Sequence, residues 1–184
     1  MKKPRRKKPP IEPRRPDQIV RNTISPEQER LIGQAIAAWS RLDDALQEAI
    51  WHFLRLSMED GRIVTARLDT KYKLNILRGL GQRHLDVEKF NDLSNLLGTI
   101  QDLYVDRNFI AHGKWVTLLP QNVPAATSLR EKVDKIFDQA DVIAETFPKD
   151  RMQVIIREIV ISMNAIIQII QEHATLRDSA SDTQ

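Results

Sequence analysis

The chain is predicted to fold as an all-α, up-and-down helical bundle with a basic arm in front and a small irregular or hairpin excursion before the last helix. Three observations carry that expectation. Apolar residues recur at three- and four-residue steps over long stretches. Serine and aspartate start signals stand just ahead of those stretches. Prolines gather in residues 1–16 and again at Pro120 and Pro124, where they interrupt both helix and strand. The 184 residues suit one domain plus appendages, and at 41% hydrophobic they can bury a real core.

Residues 1–23 read as a basic, proline-rich arm with no core residues, expected to be disordered in isolation. Lys2, Lys3, Arg5, Arg6, Lys7, Lys8, Arg14 and Arg15 stand against Glu12 alone. The arm therefore concentrates the positive charge, and the body is mildly acidic although the whole chain carries +3. Such an arm can anchor nucleic-acid phosphates. It can equally be a solubilising tail or a docking peptide, and without interleaved aromatics it is not built to stack bases.

Residues 24–178 form the expected helical domain. Ser25 is an N-cap, Pro26 suits the first helical position, and Gln28 completes a capping box. From Leu31 to Leu54 the apolar set includes Ile36, Trp39, Leu42, Leu46, Ile50 and Phe53, giving a helix of about 30 residues that ends near Ser57. Trp39 and Trp51 read as core or interface anchors. His52 has no chemical companion nearby in sequence. A short helix is expected from Glu59 to Leu68, weakened by Gly61. Another runs from Thr70 to Leu80 on Tyr72, Leu74, Leu77 and Leu80, ended by Gly79 and Gly81. Asp86 can cap a long helix whose inward stripe is Phe90, Leu93, Leu96, Leu97, Ile100, Leu103, Tyr104, Ile110 and Ala111, with Gly113 as a left-handed C-cap. Beyond it, Trp115–Leu119 has strand character. Leu129, Val133, Ile136 and Phe137 are spaced for a short helix, and Val142–Phe147 suits an extended run. Pro148 fits the first turn of a final helix to about Leu176. That helix is apolar around much of its circumference, as at a bundle centre or subunit interface. Residues 179–184 are a polar tail.

Composition excludes several classes. With no cysteine there are no disulfides or thiolate metal sites, so a reducing, cytoplasmic setting is expected. The basic N-terminus lacks the apolar segment of a secretory signal. Met152–Ile170 is the most apolar run, but Arg157 and Glu158 within it favour a packed helix over a membrane span, so no membrane partner is expected. His52, His84, His112 and His173 show no metal-ligand spacing, and no cofactor is expected.

The chemistry-bearing stretch is Arg107-Asn108-Phe109-Ile110-Ala111-His112-Gly113. It puts a permanent cation, an amide and a titratable base within two helical turns. Spacing alone is weak: with seventeen arginines and four histidines about one chance Arg-x(4–6)-His match is expected, and Arg78 to His84 is a second match, running through Gly79 and Gly81. On a helix Asn108 and His112 are i and i+4 and share a face, so the amide can orient the imidazole. Arg107 lies about 140° round the cylinder from His112. The two are therefore expected to converge only if the helix loosens at Gly113 or if two chains meet on a two-fold axis. The same residues also read as an ordinary helix end, with a basic side chain in the last turn and Arg107 paired with Asp102, Asp106 or a neighbouring helix.

Arg107-Asn108-Phe109-Ile110-Ala111-His112-Gly113 resembles the RN-x-x-AHG form of the motif of the HEPN superfamily (higher eukaryotes and prokaryotes nucleotide-binding domains). The long first helix, the motif near the end of a later helix and the apolar final helix are similar too. The resemblance spans roughly residues 25–176. It implies a homodimeric helical bundle with a composite cleft, and in many members a metal-independent endoribonuclease acting as a toxin of a toxin–antitoxin system or a phage-defence effector. By position, Arg107, Asn108 and His112 would be catalytic, with Lys114 adding positive potential and RNA as substrate. Lys114 stands where a tyrosine-modified variant of the family carries tyrosine. The alternative is a non-catalytic helical dimer that binds nucleic acid or a protein partner, in a regulatory or antitoxin-like role.

Overall fold

The structure is a computed structural model that describes residues 19–20, 24–118, 126–134 and 139–181. Lys2, Lys3, Arg5, Arg6, Lys7 and Lys8 lie outside the described residues, as do Leu119, Ile136 and Phe137. The molecule is an all-α bundle carrying a small antiparallel sheet.

Helix α1, Pro26–Leu54, starts as its sequence predicts. Ser25 Oγ accepts from Gln28 N at 3.2 Å while Gln28 Oε1 accepts from Ser25 N at 3.0 Å, a reciprocal cap worth about 1 kcal/mol. Its inward face, including Leu31, Ala35, Trp39, Leu42, Leu46, Ile50 and Phe53, is buried. The helix stops at Arg55, a non-glycine residue in the left-handed region at φ 57°, ψ 39°.

Helix α2, Met58–Thr65, folds back along α1. Gly61 is what permits the approach, since a Cβ there would lie 2.5 Å from the Trp51 indole. Trp51 Nε1 donates to Thr65 Oγ1 at 3.1 Å, and that hydroxyl lies 3.0 Å from Gln47 Oε1.

Helix α3, Thr70–His84, runs through the two glycines expected to end it. Gly81 is buried, and a Cβ on it would be 2.5 Å from Leu93 Cδ2. It brings α3 close to α4 rather than terminating α3. Tyr72, expected on the inward face, is 61% exposed. The adjacent Lys73 takes the interior, its Nζ 2.6 Å from Asp43 Oδ2 and its side chain only 4% exposed. Thr70 Oγ1 donates to Asp43 Oδ1 at 3.2 Å.

Helix α4, Val87–His112, is capped by Asp86 and buries Leu93, Leu97, Ile100, Leu103, Phe109 and Ile110. It passes into an antiparallel meander, β2 Lys114–Leu118, β3 Ala126–Asp134 and β4 Gln139–Phe147, with a two-residue β1, Ile19–Val20, added at the β2 edge. Ile19 pairs with Leu118, so these two residues of the arm are strand, not coil. The helix expected at Leu129 and Val133 is β3 instead, paired along its length from Ala126↔Phe147 to Asp134↔Gln139. A spacing of four is even, so it places two apolar residues on one side of a strand as readily as on one side of a helix.

Helix α5, Lys149–Ser181, extends past the expected end at Leu176. Pro148 stands at its start, its carbonyl accepting from Met152 N at 3.0 Å. The helix packs chiefly on α1 and runs parallel to it: Lys149 pairs with Glu27 at one end, and His52 meets His173 at the other. Lys149, by hydrogen bond and charge, holds the Glu27 carboxyl below its usual range. The contacts fix an alternating course, with α1 up, α2 down, α3 up, α4 down and α5 up. α5 is not the bundle centre. Met152, Ile155, Ile159, Ser162 and Ile166 form one buried stripe, whereas Val154, Val160 and Ile161 are exposed. It is the one described helix long and apolar enough to cross a membrane, by length and composition only.

Candidate functional site

The motif residues occupy the last two turns of α4, at the end of the bundle that carries the sheet. Phe109 and Ile110 point inward and anchor the turn in the core, Arg107 and Asn108 are half-buried, and His112 is exposed. Gly113 is the C-cap but is extended, at φ −79° and ψ 152°, rather than left-handed as expected. The reason is the next element: the chain must leave α4 directly into β2, and an extended residue sends it there. Two groups finish the helix end. Gly113 N–H donates to the Phe109 carbonyl at 3.0 Å, and Trp115 Nε1 donates to the Ile110 carbonyl at 3.2 Å. His112 is thus not required as the C-terminal cap of α4.

Arg107 is the centre of the cluster. Its Nη1 donates to Asn108 Oδ1 at 3.2 Å and lies 3.2 Å from His112 Nε2. The expectation that Arg107 and His112 would not converge within one chain is therefore overturned. Cβ positions alone put them 140° apart, but the long arginine side chain spans that arc along the helix surface. The amide partner also changes, since Asn108 accepts from the guanidinium where a bond to the imidazole had been expected. A guanidinium has only donors, so a hydrogen bond between the two requires His112 Nε2 to accept, with the imidazole proton on Nδ1. Arg107 Nε is buried without a hydrogen-bond partner. Lys114 opens β2 beside the cluster.

Among the described residues no charge compensates Arg107. Asp106, its neighbour, is bound by Arg151 from the first turn of α5, with Arg151 Nη2 2.8 Å from Asp106 Oδ1. Arg151 Nη1 also lies 2.9 Å from Glu145 Oε2 and donates to the Thr146 carbonyl at 2.8 Å. Among the described residues no carboxylate pairs with Arg107, so the pairings expected of a purely structural arginine, with Asp102, Asp106 or a neighbouring helix, are not found among them. Sequence reading missed Arg151. Its partner is 45 residues away, beyond any local pattern.

The second Arg-x(4–6)-His match does not form a cluster: Arg78 donates to Asn75, while His84 stacks on Phe53 with ring centroids 5.9 Å apart. His84 belongs to a different grouping at the other end of α4, where His52, His84 and His173 surround Phe53. His52 Nε2 and His173 Nδ1 are 2.9 Å apart, so His52 does have a companion, 121 residues away. Beside His173 a cleft of about 250 Å³ opens between α4 and α5, floored by Leu85, Leu96 and Ile169 and edged by Lys89, Asp92 and Glu172. Among the described residues, no group of three histidine or carboxylate side chains is placed to hold a metal ion.

No family model, curated protein or solved structure matches this chain.

Proposed function

We propose that the chain is a metal-independent endoribonuclease of the HEPN type, a toxin or phage-defence effector in class. One observation carries the reading: an arginine with no carboxylate partner among the described residues, held against an amide and the imidazole of an exposed histidine on one helix end. RNA brings its own nucleophile, the 2′-hydroxyl, so the protein needs a base, an acid and a cation. An incoming phosphodiester competes for the Arg107 guanidinium and frees His112 Nε2. That nitrogen takes the 2′-hydroxyl proton as O2′ bonds to phosphorus. The bond from phosphorus to O5′ breaks, leaving a 2′,3′-cyclic phosphate, and O5′ takes up a proton. Arg107 neutralises the non-bridging oxygens through paired hydrogen bonds, and Asn108 holds Arg107 in place.

A single His112 can act as base; the acid is His112 of a second copy in a homodimer. The exposed apolar residues Val154, Val160 and Ile161 along α5 support such an assembly. Lys114 and the basic arm, including Lys2, Lys3, Arg5, Arg6, Lys7 and Lys8, would add phosphate contacts, which salt should weaken.

The test is incubation of the purified protein with mixed RNA in EDTA, with the ends identified. Cleavage to 2′,3′-cyclic phosphate ends that His112→Ala abolishes, in a variant of unchanged fold and oligomeric state, is the expected result. Equal cleavage by His112→Ala overturns the reading. RNA binding without cleavage would instead favour the non-catalytic dimer that binds nucleic acid or a protein partner.

A further inference from the structure

A carboxylate one residue from a phosphate-binding arginine is a liability. Unpaired, Asp106 would repel an incoming phosphate and compete for Arg107. Adjacent helical residues do not normally face each other, but Arg107 already spans a one-residue step to Asn108. The fold handles this carboxylate from another element. Arg151 Nη2 takes Asp106 Oδ1 at 2.8 Å, and the rest of that guanidinium is fixed on three further sides: Glu145 Oε2 at 2.9 Å, the Thr146 carbonyl at 2.8 Å and the face of the Phe147 ring at 4.4 Å. Phe147 is itself fully buried against Trp115, the residue that closes the end of α4. With two carboxylates on it, Arg151 has no positive charge left over for substrate. Its geometry serves to hold one acidic group in a fixed, compensated position.

We infer that Arg151 is a positioning residue of the Arg107–His112 site, which neutralises Asp106 and so keeps Arg107 available to a phosphodiester. The inference rests on the ribonuclease reading. It separates two roles that a single substitution would confuse. If Arg151 merely braces α5 against α4 and β4, its loss is irreparable at Asp106. If it acts by neutralising Asp106, removing that charge repairs the loss.

The experiment uses the full chain with a short single-stranded RNA made uncleavable by 2′-O-methyl groups, and reads Kd by fluorescence anisotropy. Arg151→Ala is expected to bind about tenfold more weakly than wild type, a loss of about 1.4 kcal/mol by the affinity relation. Asp106→Asn should bind as well as wild type or better. The double variant Arg151→Ala/Asp106→Asn should return to within about twofold of Asp106→Asn, although it regains none of the contacts to Thr146 or Phe147. A folded double variant as weak as Arg151→Ala overturns the inference. Should Arg151→Ala fail to fold, Arg151→Lys takes its place: it keeps the charge while losing the fork, and binding near wild type is expected, whereas a tenfold loss overturns the inference. Failure of the ribonuclease reading is recognised separately, because Arg107→Ala would then bind RNA like wild type. Imidazole ¹⁵N spectra still decide in that case. Arg151→Ala should shift the His112 proton from Nδ1 toward Nε2 as Asp106 draws Arg107 away, and the double variant should reverse it. An unmoved tautomer overturns the inference.

Discussion

Gly61→Ala tests whether α2 is placed by close contact or by helix preference. In an open helical position, replacing glycine by alanine gains up to about 1 kcal/mol. At Gly61 the new Cβ would lie 2.5 Å from Trp51 Cγ and Cδ2 and 2.6 Å from Cδ1. Carbon atoms at rest sit about 3.5–4.0 Å apart, so the overlap is about 1 Å or more. The ring cannot turn aside freely, because its Nε1 is hydrogen-bonded to Thr65, whose hydroxyl in turn reaches Gln47. Overpacking of this kind costs about 1–3 kcal/mol, and breaking the Trp51–Thr65 bond adds about 1 kcal/mol. Set against the helix gain, the net loss is about 2 kcal/mol. The assay is urea unfolding followed by helix circular dichroism and tryptophan fluorescence. Gly33→Ala and Gly79→Ala are the controls, since a Cβ at either meets nothing within 4 Å. Both should raise the midpoint while Gly61→Ala lowers it. If Gly61→Ala stabilises the protein as much as Gly79→Ala, the steric account of α2 is wrong.

Other outcomes follow from the same contacts. Asp43→Ala strands the Lys73 ammonium among buried groups and should cost about 2–3 kcal/mol in urea unfolding, while adding Lys73→Met should recover much of that loss. Trp115→Phe keeps the ring against Phe147 but deletes the indole bond to the Ile110 carbonyl, lowering stability by about 1 kcal/mol and accelerating amide exchange at the end of α4. Arg107→Lys retains the charge but not the planar fork, so RNA cleavage should fall at least tenfold with helix content unchanged. In a carboxyl NMR titration Glu27 should titrate below its usual range, the paired form being favoured above the unfolded value and lost as pH falls through the folded one. In Lys149→Gln the midpoint should return toward the ordinary value.

The helices were legible where a chemical signal sat at a boundary. Ser25 with Gln28, and Asp86, mark starts that the structure keeps. Glycine misled because it has two uses. At 79 and 81 it reads as a stop, but α3 continues, and Gly81 serves as a gap filled by Leu93. Leu129 and Val133 misled for a geometric reason, since four residues is a repeat of both strand and helix. Tyr72, expected inside, is exposed and Lys73 is buried because Asp43 on α1 supplies a partner that makes burial of an ammonium tolerable, and one helix cannot reveal its neighbour. In the candidate site the residue types were legible and the reach was not. Angular spacing describes where side chains leave the helix, not where their ends meet, and the Arg107 guanidinium and the His112 imidazole meet despite it.

Parallel packing of α1 and α5 has a consequence for the order in which the protein can be made. Their contact joins segments about 120 residues apart, and synthesis delivers α5 after the other described elements. Until then the face of α1 that α5 will cover is open, and a growing chain must keep it from other partners. Arg151 arrives in that same late segment. The motif is therefore synthesised some forty residues before the side chain that compensates Asp106, and its charge pattern is completed only as α5 docks.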